Sequence, residues 1–194
     1  MESYLVAGLG NPGPKYHGTR HNAGFMVLDR FADDLSIPVT RKQFSGIYGE
    51  GRRDGLSLHL LKPQTYMNLS GRSVAEAVRF FRLSLQQVIV IHDEVDLPFG
   101  QIRVKAGGGH GGHNGLRSLI QELAGADFIR IRFGIGRPPG DDTAAYVLSP
   151  FSREEQLHLP RLLDIGARIV RSVVEEGANT AMNLYNGKDL LGEG

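Results

Sequence analysis

Tyr4-Leu5-Val6-Ala7-Gly8-Leu9-Gly10-Asn11-Pro12-Gly13-Pro14 begins as a short apolar run, ends that run on a glycine, and continues into residues that forbid regular structure. The run reads as a buried strand and the remainder as a loop. Gly8, Gly10 and Gly13 match the spacing G-x-G-x-x-G, which after a strand marks a dinucleotide-binding turn. In that turn the third glycine lies inside the start of a helix whose N-terminus faces a pyrophosphate. Here Pro14 follows Gly13 at once, and from Tyr16 through Gly18 no apolar helical stripe appears before Asn22. No second strand ends in an acidic residue about 20 positions on, because Asp33 and Asp34 close the next predicted helix. The context of a nicotinamide or flavin site fails, and a dinucleotide-dependent oxidoreductase is kept only as an alternative.

Outward from this segment, strands and helices alternate. Phe25, Met26, Leu28, Phe31, Ala32 and Leu35 recur at helical spacing, which predicts a helix over 23–35 with Asn22 as its N-cap. Strands are expected over 44–51 and 56–61, about the turn-like Arg52-Arg53-Asp54-Gly55. Ser70 is then placed to cap a helix with Val74, Ala77, Val78 and Phe81 on its apolar face. Residues 88–91 are continuously apolar, as a central strand requires, and 102–104 reads as another strand. Asn114 opens a helix to Leu123, 128–135 alternates as a strand, and helices are expected over 154–176 and 178–185. The pattern implies an α/β fold in which a mixed sheet lies between helices, with 1–194 forming one domain.

The chain has no cysteine, so disulfides, thiolate nucleophiles and iron–sulfur clusters are excluded, and the chemistry must come from oxygen and nitrogen side chains. Net charge is only +1 but unevenly spread. Residues 101–137 hold six basic side chains against two acidic ones, whereas 141–194 hold five against nine, which concentrates positive charge around the glycine-rich middle and suggests a phosphate-binding surface there. Met1-Glu2-Ser3-Tyr4 enters the first strand without a basic leader, and no run is long enough to span a bilayer. A cytoplasmic enzyme or binding protein, without membrane attachment, is expected.

No phosphate-binding loop of the G-x-x-x-x-G-K-S/T kind and no G-x-S-x-G serine elbow is present. What remains is a set of polar residues at strand ends and in loops, where α/β sheets place their sites. Asn11 follows the first strand, Arg20-His21-Asn22 precede the first helix, Asn68 precedes the second, and His92-Asp93-Glu94 follow the central strand. Histidine alone can take a proton near neutral pH from an unperturbed state, and a carboxylate on its far nitrogen would fix its tautomer. His21 with Asp93 fits that pairing, although a lone histidine before a helix often serves only as a structural hydrogen-bonding group.

His92, Asp93, Glu94 and Asp96 are crowded along one strand, which argues against convergence on a cation, and His110-Gly111-Gly112-His113 lacks a third ligand for zinc, so a metal site is kept only as a minor alternative. The tract Gly107-Gly108-Gly109-His110-Gly111-Gly112-His113-Asn114-Gly115 suits backbone that approaches a ligand or moves as a flap, or simply a tight loop entering a helix. Lys105, Arg130 and Arg132 flank it as candidate phosphate contacts, with Asn114 beside them. Tyr16 and Tyr66, lying in loops, are candidates to stack on a base or sugar, with Met67 packed near them; covering the edge of the core is the plainer alternative.

Four separated blocks carry a family resemblance: Gly8 to Gly13 continuing through Tyr16 to Thr19-Arg20-His21-Asn22-Ala23-Gly24; Pro63-Gln64-Thr65-Tyr66-Met67-Asn68-Leu69-Ser70-Gly71; His92-Asp93-Glu94-Val95-Asp96-Leu97-Pro98; and the glycine tract through Leu116. With them the chain resembles the bacterial peptidyl-tRNA hydrolases, and Arg130 to Gly136 and Tyr146-Val147-Leu148 extend the match; it is thinnest from Pro150 onward. The resemblance implies a monomeric three-layer α/β/α sandwich with a mixed, mostly parallel sheet, no metal, no cofactor and no obligate protein partner. It implies hydrolysis of the ester between a peptide and the terminal ribose of tRNA, with His21 as general base and Asp93 orienting it. Asn11 resembles the residue that reads the peptide next to the ester and so spares ordinary aminoacyl-tRNA. Asn68 and Asn114 resemble groups that position substrate and water, and Tyr16 and Tyr66 resemble tRNA contacts, Tyr66 at a position where other members can carry phenylalanine. Lys105 and Arg132 look like a clamp on the tRNA 5′-phosphate. A non-catalytic RNA-binding module is the second alternative, since it would keep the basic surface and the aromatics.

Overall fold

The N-terminal apolar run becomes β1 (Glu2–Gly8), hydrogen-bonded on both sides in the computed structural model, which describes residues 1–192. A strand covered on both faces needs apolar residues at successive positions, and Leu5, Val6 and Ala7 are fully buried. Parallel to β1 on either side lie β4 (Leu56–Pro63) and β5 (Val88–Glu94). Beyond β5 comes the parallel strand β7 (Ile129–Gly134), with β6 (Ile102–Ala106) antiparallel at the edge. The other edge is built by β3 (Gly46–Arg53), antiparallel to β4, and the short β2 (Arg41–Gln43), antiparallel to β3. The order is β2-β3-β4-β1-β5-β7-β6, a mixed sheet in which only β3 and β6 run against the common direction.

Alternate side chains of the central strands feed two cores. Val6, Ile89 and Ile91 pack with Val27, Leu28 and Phe31 of α1 (Ala23–Asp34) and with Ile169, Val170 and Val173 of α5 (Arg153–Glu176). Leu5, Ala7, Val88 and Val90 pack on the opposite face with Val74 and Ala77 of α2 (Ser70–Phe81) and with Leu116 and Leu119 of α3 (Asn114–Leu123). This is the three-layer arrangement that the two-residue period of a strand dictates when both faces are covered. A short α4 (Thr143–Val147) and a final α6 (Ala178–Tyr185) complete the chain. The Asn186 amide closes the β6 edge as a strand residue would, accepting from Val104 N (2.7 Å) and donating to Val104 O (2.9 Å). Among the described residues, no helix is long and apolar enough to cross a membrane.

Several expected details differ. The helix from 23 begins as predicted, but the Asn22 side chain makes no capping bond, because its amide is taken by the backbone of Asn11. Ser70 likewise does not cap α2; its hydroxyl donates to Met67 O at 2.7 Å. β2 and α4 are short, polar or irregular in pattern and escaped the periodicity reading. β5 runs through Glu94, so His92, Asp93 and Glu94 belong to the strand rather than following it.

Two glycines of the misleading fingerprint, Gly8 and Gly10, have packing roles. A Cβ at Gly8 would collide with the Gly24 carbonyl, and one at Gly24 would collide with the Ile91 carbonyl. The start of α1 therefore rests directly on the ends of β1 and β5, which brings the turn before α1 over the end of β5.

Candidate active site

The C-terminal ends of β1, β4 and β5 lie side by side, and the loops leaving them meet the turn before α1 and the start of α3. Between them opens a cleft of about 720 Å³, with Asn11, Tyr16, His21, Tyr66, Asn68 and Asp93 in its wall. Met67, His113 and Asn114 also line it, and Val147 and Leu148 form an apolar side. Eight predicted site residues are thus brought together; Lys105 and Arg132 do not line the cleft.

At its floor, Asp93 is 2% exposed and holds two histidines. Its Oδ2 lies 2.7 Å from His21 Nδ1 and its Oδ1 lies 2.8 Å from His113 Nε2. Burial pushes the Asp93 carboxyl up, but the adjoining His21 and His113 override that effect and hold it well below the usual carboxylate range. The carboxylate is ionised throughout the neutral range and can only accept, so both histidines donate to it.

His113 has a second constraint. It is the N-cap of α3, and its Nδ1 accepts from Leu116 N at 3.2 Å. An acceptor nitrogen carries no proton, so His113 is neutral, with its hydrogen on Nε2 and directed at Asp93. His21 donates through Nδ1, and its Nε2 has no partner among the described residues while its ring borders the cleft. That nitrogen is the one basic lone pair the arrangement offers to a bound water.

The side chains of His21, Asp93 and His113 also bring three ligand-type atoms within 4.8 Å of one another. They do not suit a cation: ligation through His113 Nε2 would require the proton on Nδ1, where it would face the Leu116 N–H. In the sequence His113 reads only as a weak zinc ligand, and nothing there pairs it with Asp93. The one signal is its place immediately before the predicted helix start at Asn114.

Asn11 is held from three directions. Its N–H donates to Asn22 Oδ1 (2.8 Å), its carbonyl accepts from Asn22 Nδ2 (2.9 Å), and its own Oδ1 accepts from Met67 N (2.7 Å). Because Met67 N can only donate, the oxygen of the Asn11 amide must face it, and the NH₂ is the end left for the cleft. Tyr66 sits at φ 61°, ψ 157°, a backbone region side chains seldom adopt, half exposed, with its ring edge-on to Tyr16 at 6.3 Å. Asn68 and Asn114 are exposed in the cleft wall. The Asn114 side-chain Oδ1 accepts from Arg117 at 3.2 Å.

Arg20, unassigned in the sequence reading beyond its place in the loop, is 8% exposed. It bonds Ser149 Oγ (2.6 Å) and Glu155 Oε1 (2.7 Å) and stacks over Tyr146 at 4.0 Å, tying the turn that carries His21 to the α4 wall. Arg130, expected as a phosphate contact, is 2% exposed and donates to the carbonyls of Gly108 and Gly109. It supports the stem of the glycine tract and is withdrawn from any phosphate. Arg132 and Lys105 stay outside the cleft on one face of the β6–β7 pair, shared with Arg103 through the pairings Arg103↔Arg132 and Lys105↔Arg130. Arg132 Nε bonds Glu94 Oε1 at 2.9 Å.

His92, next to Asp93, is turned away from this chemistry. Its Nδ1 donates to Asp93 O at 2.8 Å and its Nε2 is buried without a partner among the described residues. Burial pushes its pKa down from 6.5 to about 3. Between these values the unfolded chain binds a proton that the folded chain refuses, so stability falls as pH drops from 6.5 toward 3, by about 2 kcal/mol at pH 5 from this group. His92→Asn keeps a donor for Asp93 O and removes the titration. The difference in Tm between pH 7.5 and pH 5 is expected to be smaller for the variant than for wild type; equal differences would contradict the assignment.

A family model described as peptidyl-tRNA hydrolase matches residues 5–192. The chain is 61% identical over 191 residues to the peptidyl-tRNA hydrolase of Geobacter sulfurreducens, covering 98% of this chain and 99% of that one. It is 60% identical over 191 residues to that of Geotalea uraniireducens, covering 98% and 100%. The crystal structure of the peptidyl-tRNA hydrolase from Acinetobacter baumannii is similar at TM-score 0.90 and 39% identity, covering 96% of each chain. The similarity therefore runs through every element that lines the cleft.

Proposed function

The chain belongs to the peptidyl-tRNA hydrolase family, and from that premise we propose that it hydrolyses the ester between peptide and tRNA with His21 as general base and Asp93 as its orienting carboxylate. The observation that carries the proposal is the 2.7 Å contact from His21 Nδ1 to a buried Asp93, with His21 Nε2 left at the cleft. A water between that nitrogen and the ester carbonyl loses its proton to Nε2 as it attacks, and the imidazolium so formed lies against the carboxylate. As the tetrahedral intermediate collapses, the bond from the acyl carbon to the ribose oxygen breaks and that oxygen takes the proton back from His21 Nε2, so no covalent intermediate is needed.

Asn68 donates to the developing oxyanion, and Asn114, whose oxygen is engaged by Arg117, offers its NH₂ to substrate or water. Asn11 presents its NH₂ to the carbonyl that acylates the substrate's α-nitrogen. Tyr16 and Tyr66 flank the terminal nucleotide, with the buried Met67 in the same cleft wall. Lys105 and the terminal nitrogens of Arg132 hold the 5′-phosphate outside the cleft, on the face they share. The chain acts as one domain, on tRNA in the cytoplasm.

Purified protein is expected to release the N-acetylated amino acid from N-acetyl-aminoacyl-tRNA, to leave the unblocked ester largely intact, and to keep its rate after exhaustive chelation. Binding of tRNA without hydrolysis would return the chain to the non-catalytic RNA-binding reading. Loss of activity on chelation would reopen the metal alternative.

A further inference from the structure

We infer that Asn22, which lies behind the cleft wall, is a positioning residue that sets the selectivity for acylated substrate through Asn11; this rests on the hydrolase reading above. Asn22 is 2% exposed and occupies the N-cap position of α1, where an asparagine side chain ordinarily accepts from the first turn of the helix. It makes no such bond. Its amide instead clamps the Asn11 backbone in both directions, 2.8 Å to the N–H and 2.9 Å to the carbonyl, as a neighbouring strand residue would. Gly10 leaves room for this: a Cβ there would come within 3.0 Å of the Asn22 side-chain carbon and 2.7 Å of the Phe25 ring.

The clamp matters because of what it leaves undetermined. With the backbone of Asn11 fixed by Asn22 and its oxygen fixed by Met67 N, the single free polarity at that point of the cleft is a donor. A fixed donor accepts the carbonyl of an acylated α-nitrogen and opposes the ammonium of a free aminoacyl ester. Rejection requires that the amide cannot turn its oxygen outward; the bond from Met67 N holds that oxygen, and the doubly bonded backbone keeps the Asn11 side chain where that bond can be made. Selectivity of this kind is a difference between two rates and depends on the repulsive element being held in place.

The test compares kcat/KM for N-acetyl-aminoacyl-tRNA and for the same unblocked aminoacyl-tRNA. Wild type, Asn22→Asp, Asn22→Ala, Asn11→Ala and Asn11→Ala with Asn22→Ala are measured, each with its Tm. Asn22→Asp is isosteric and retains acceptance from Asn11 N while setting a carboxylate oxygen against Asn11 O, so it stands in if the alanine variant does not fold. The blocked-to-free ratio is expected to fall about 10-fold in either Asn22 variant, the worth of one lost buried hydrogen bond, and to fall no further when Asn22→Ala is added to Asn11→Ala. Equal loss of both rates with an unchanged ratio is what a purely structural residue would give and would overturn the inference. A further fall of the ratio in the Asn11→Ala background would overturn it too. Failure of wild type to cleave the blocked ester would instead sink the hydrolase reading.

Discussion

Replacing His21 by asparagine is expected to lower kcat on an N-acetylated aminoacyl-tRNA by about 10²- to 10⁴-fold, with KM and Tm close to wild type. The asparagine Nδ2 takes the place of the imidazole Nδ1, so Asp93 Oδ2 keeps a donor where His21 now stands at 2.7 Å and the buried charge is not orphaned. Only the second nitrogen disappears. In the proposed mechanism its interaction is made with the attacking water in the transition state and not with the bound ester, which is why kcat should fall and KM should not. No neighbour can substitute: both nitrogens of His113 are engaged, by Leu116 N and Asp93, and Glu94 is paired with Arg132. Steady-state release of labelled N-acetyl amino acid measures the effect, and an unchanged kcat would remove His21 from the role of base.

What could be read from the sequence and what could not divide along physical lines. The double-faced burial of β1 and β5 was legible because it leaves continuous apolar runs, and α3 and α5 were legible because an amphipathic stripe repeats. The meeting of His21 with Asp93 followed from chemistry plus the rule that sites gather at strand ends. Asn22 was rightly placed at the start of a helix, yet its side chain went to a tertiary partner that no local pattern announces. Arg130 looked like a phosphate contact because charge is visible in a sequence and burial is not. Gly8 and Gly10 imitate a nucleotide-binding turn because both demands, pyrophosphate and close packing, select for a missing Cβ. His113 escaped because its importance lies in reaching back across the cleft to β5, a contact between residues 20 apart with a glycine-rich loop between them.

Asp93→Asn is expected to be as damaging as loss of His21, by about the 10⁴-fold seen when a triad aspartate becomes asparagine, and His113 determines why. The new side chain has one acceptor and one donor end. The Nε2 hydrogen of His113 is fixed by the bond its Nδ1 accepts from Leu116 N, so the amide oxygen of residue 93 must face His113. The NH₂ end is left facing His21 Nδ1, which can then only accept. His21 is forced to carry its proton on Nε2, at the cleft, where it can no longer receive one from water. Removing the constraint should reverse part of the loss: with His113→Ala added, the asparagine is free to turn its oxygen to His21 and restore the proton to Nδ1. The double variant is expected to be more active than Asp93→Asn alone, although His113→Ala by itself gives up an N-cap worth about 1 kcal/mol and lowers Tm. Nitrogen chemical shifts of His21 should report the exchange of tautomers in step with kcat. A double variant no faster than the single one, with His21 still protonated on Nδ1 in Asp93→Asn, would show that the carboxylate acts through its charge alone and not through the tautomer it imposes.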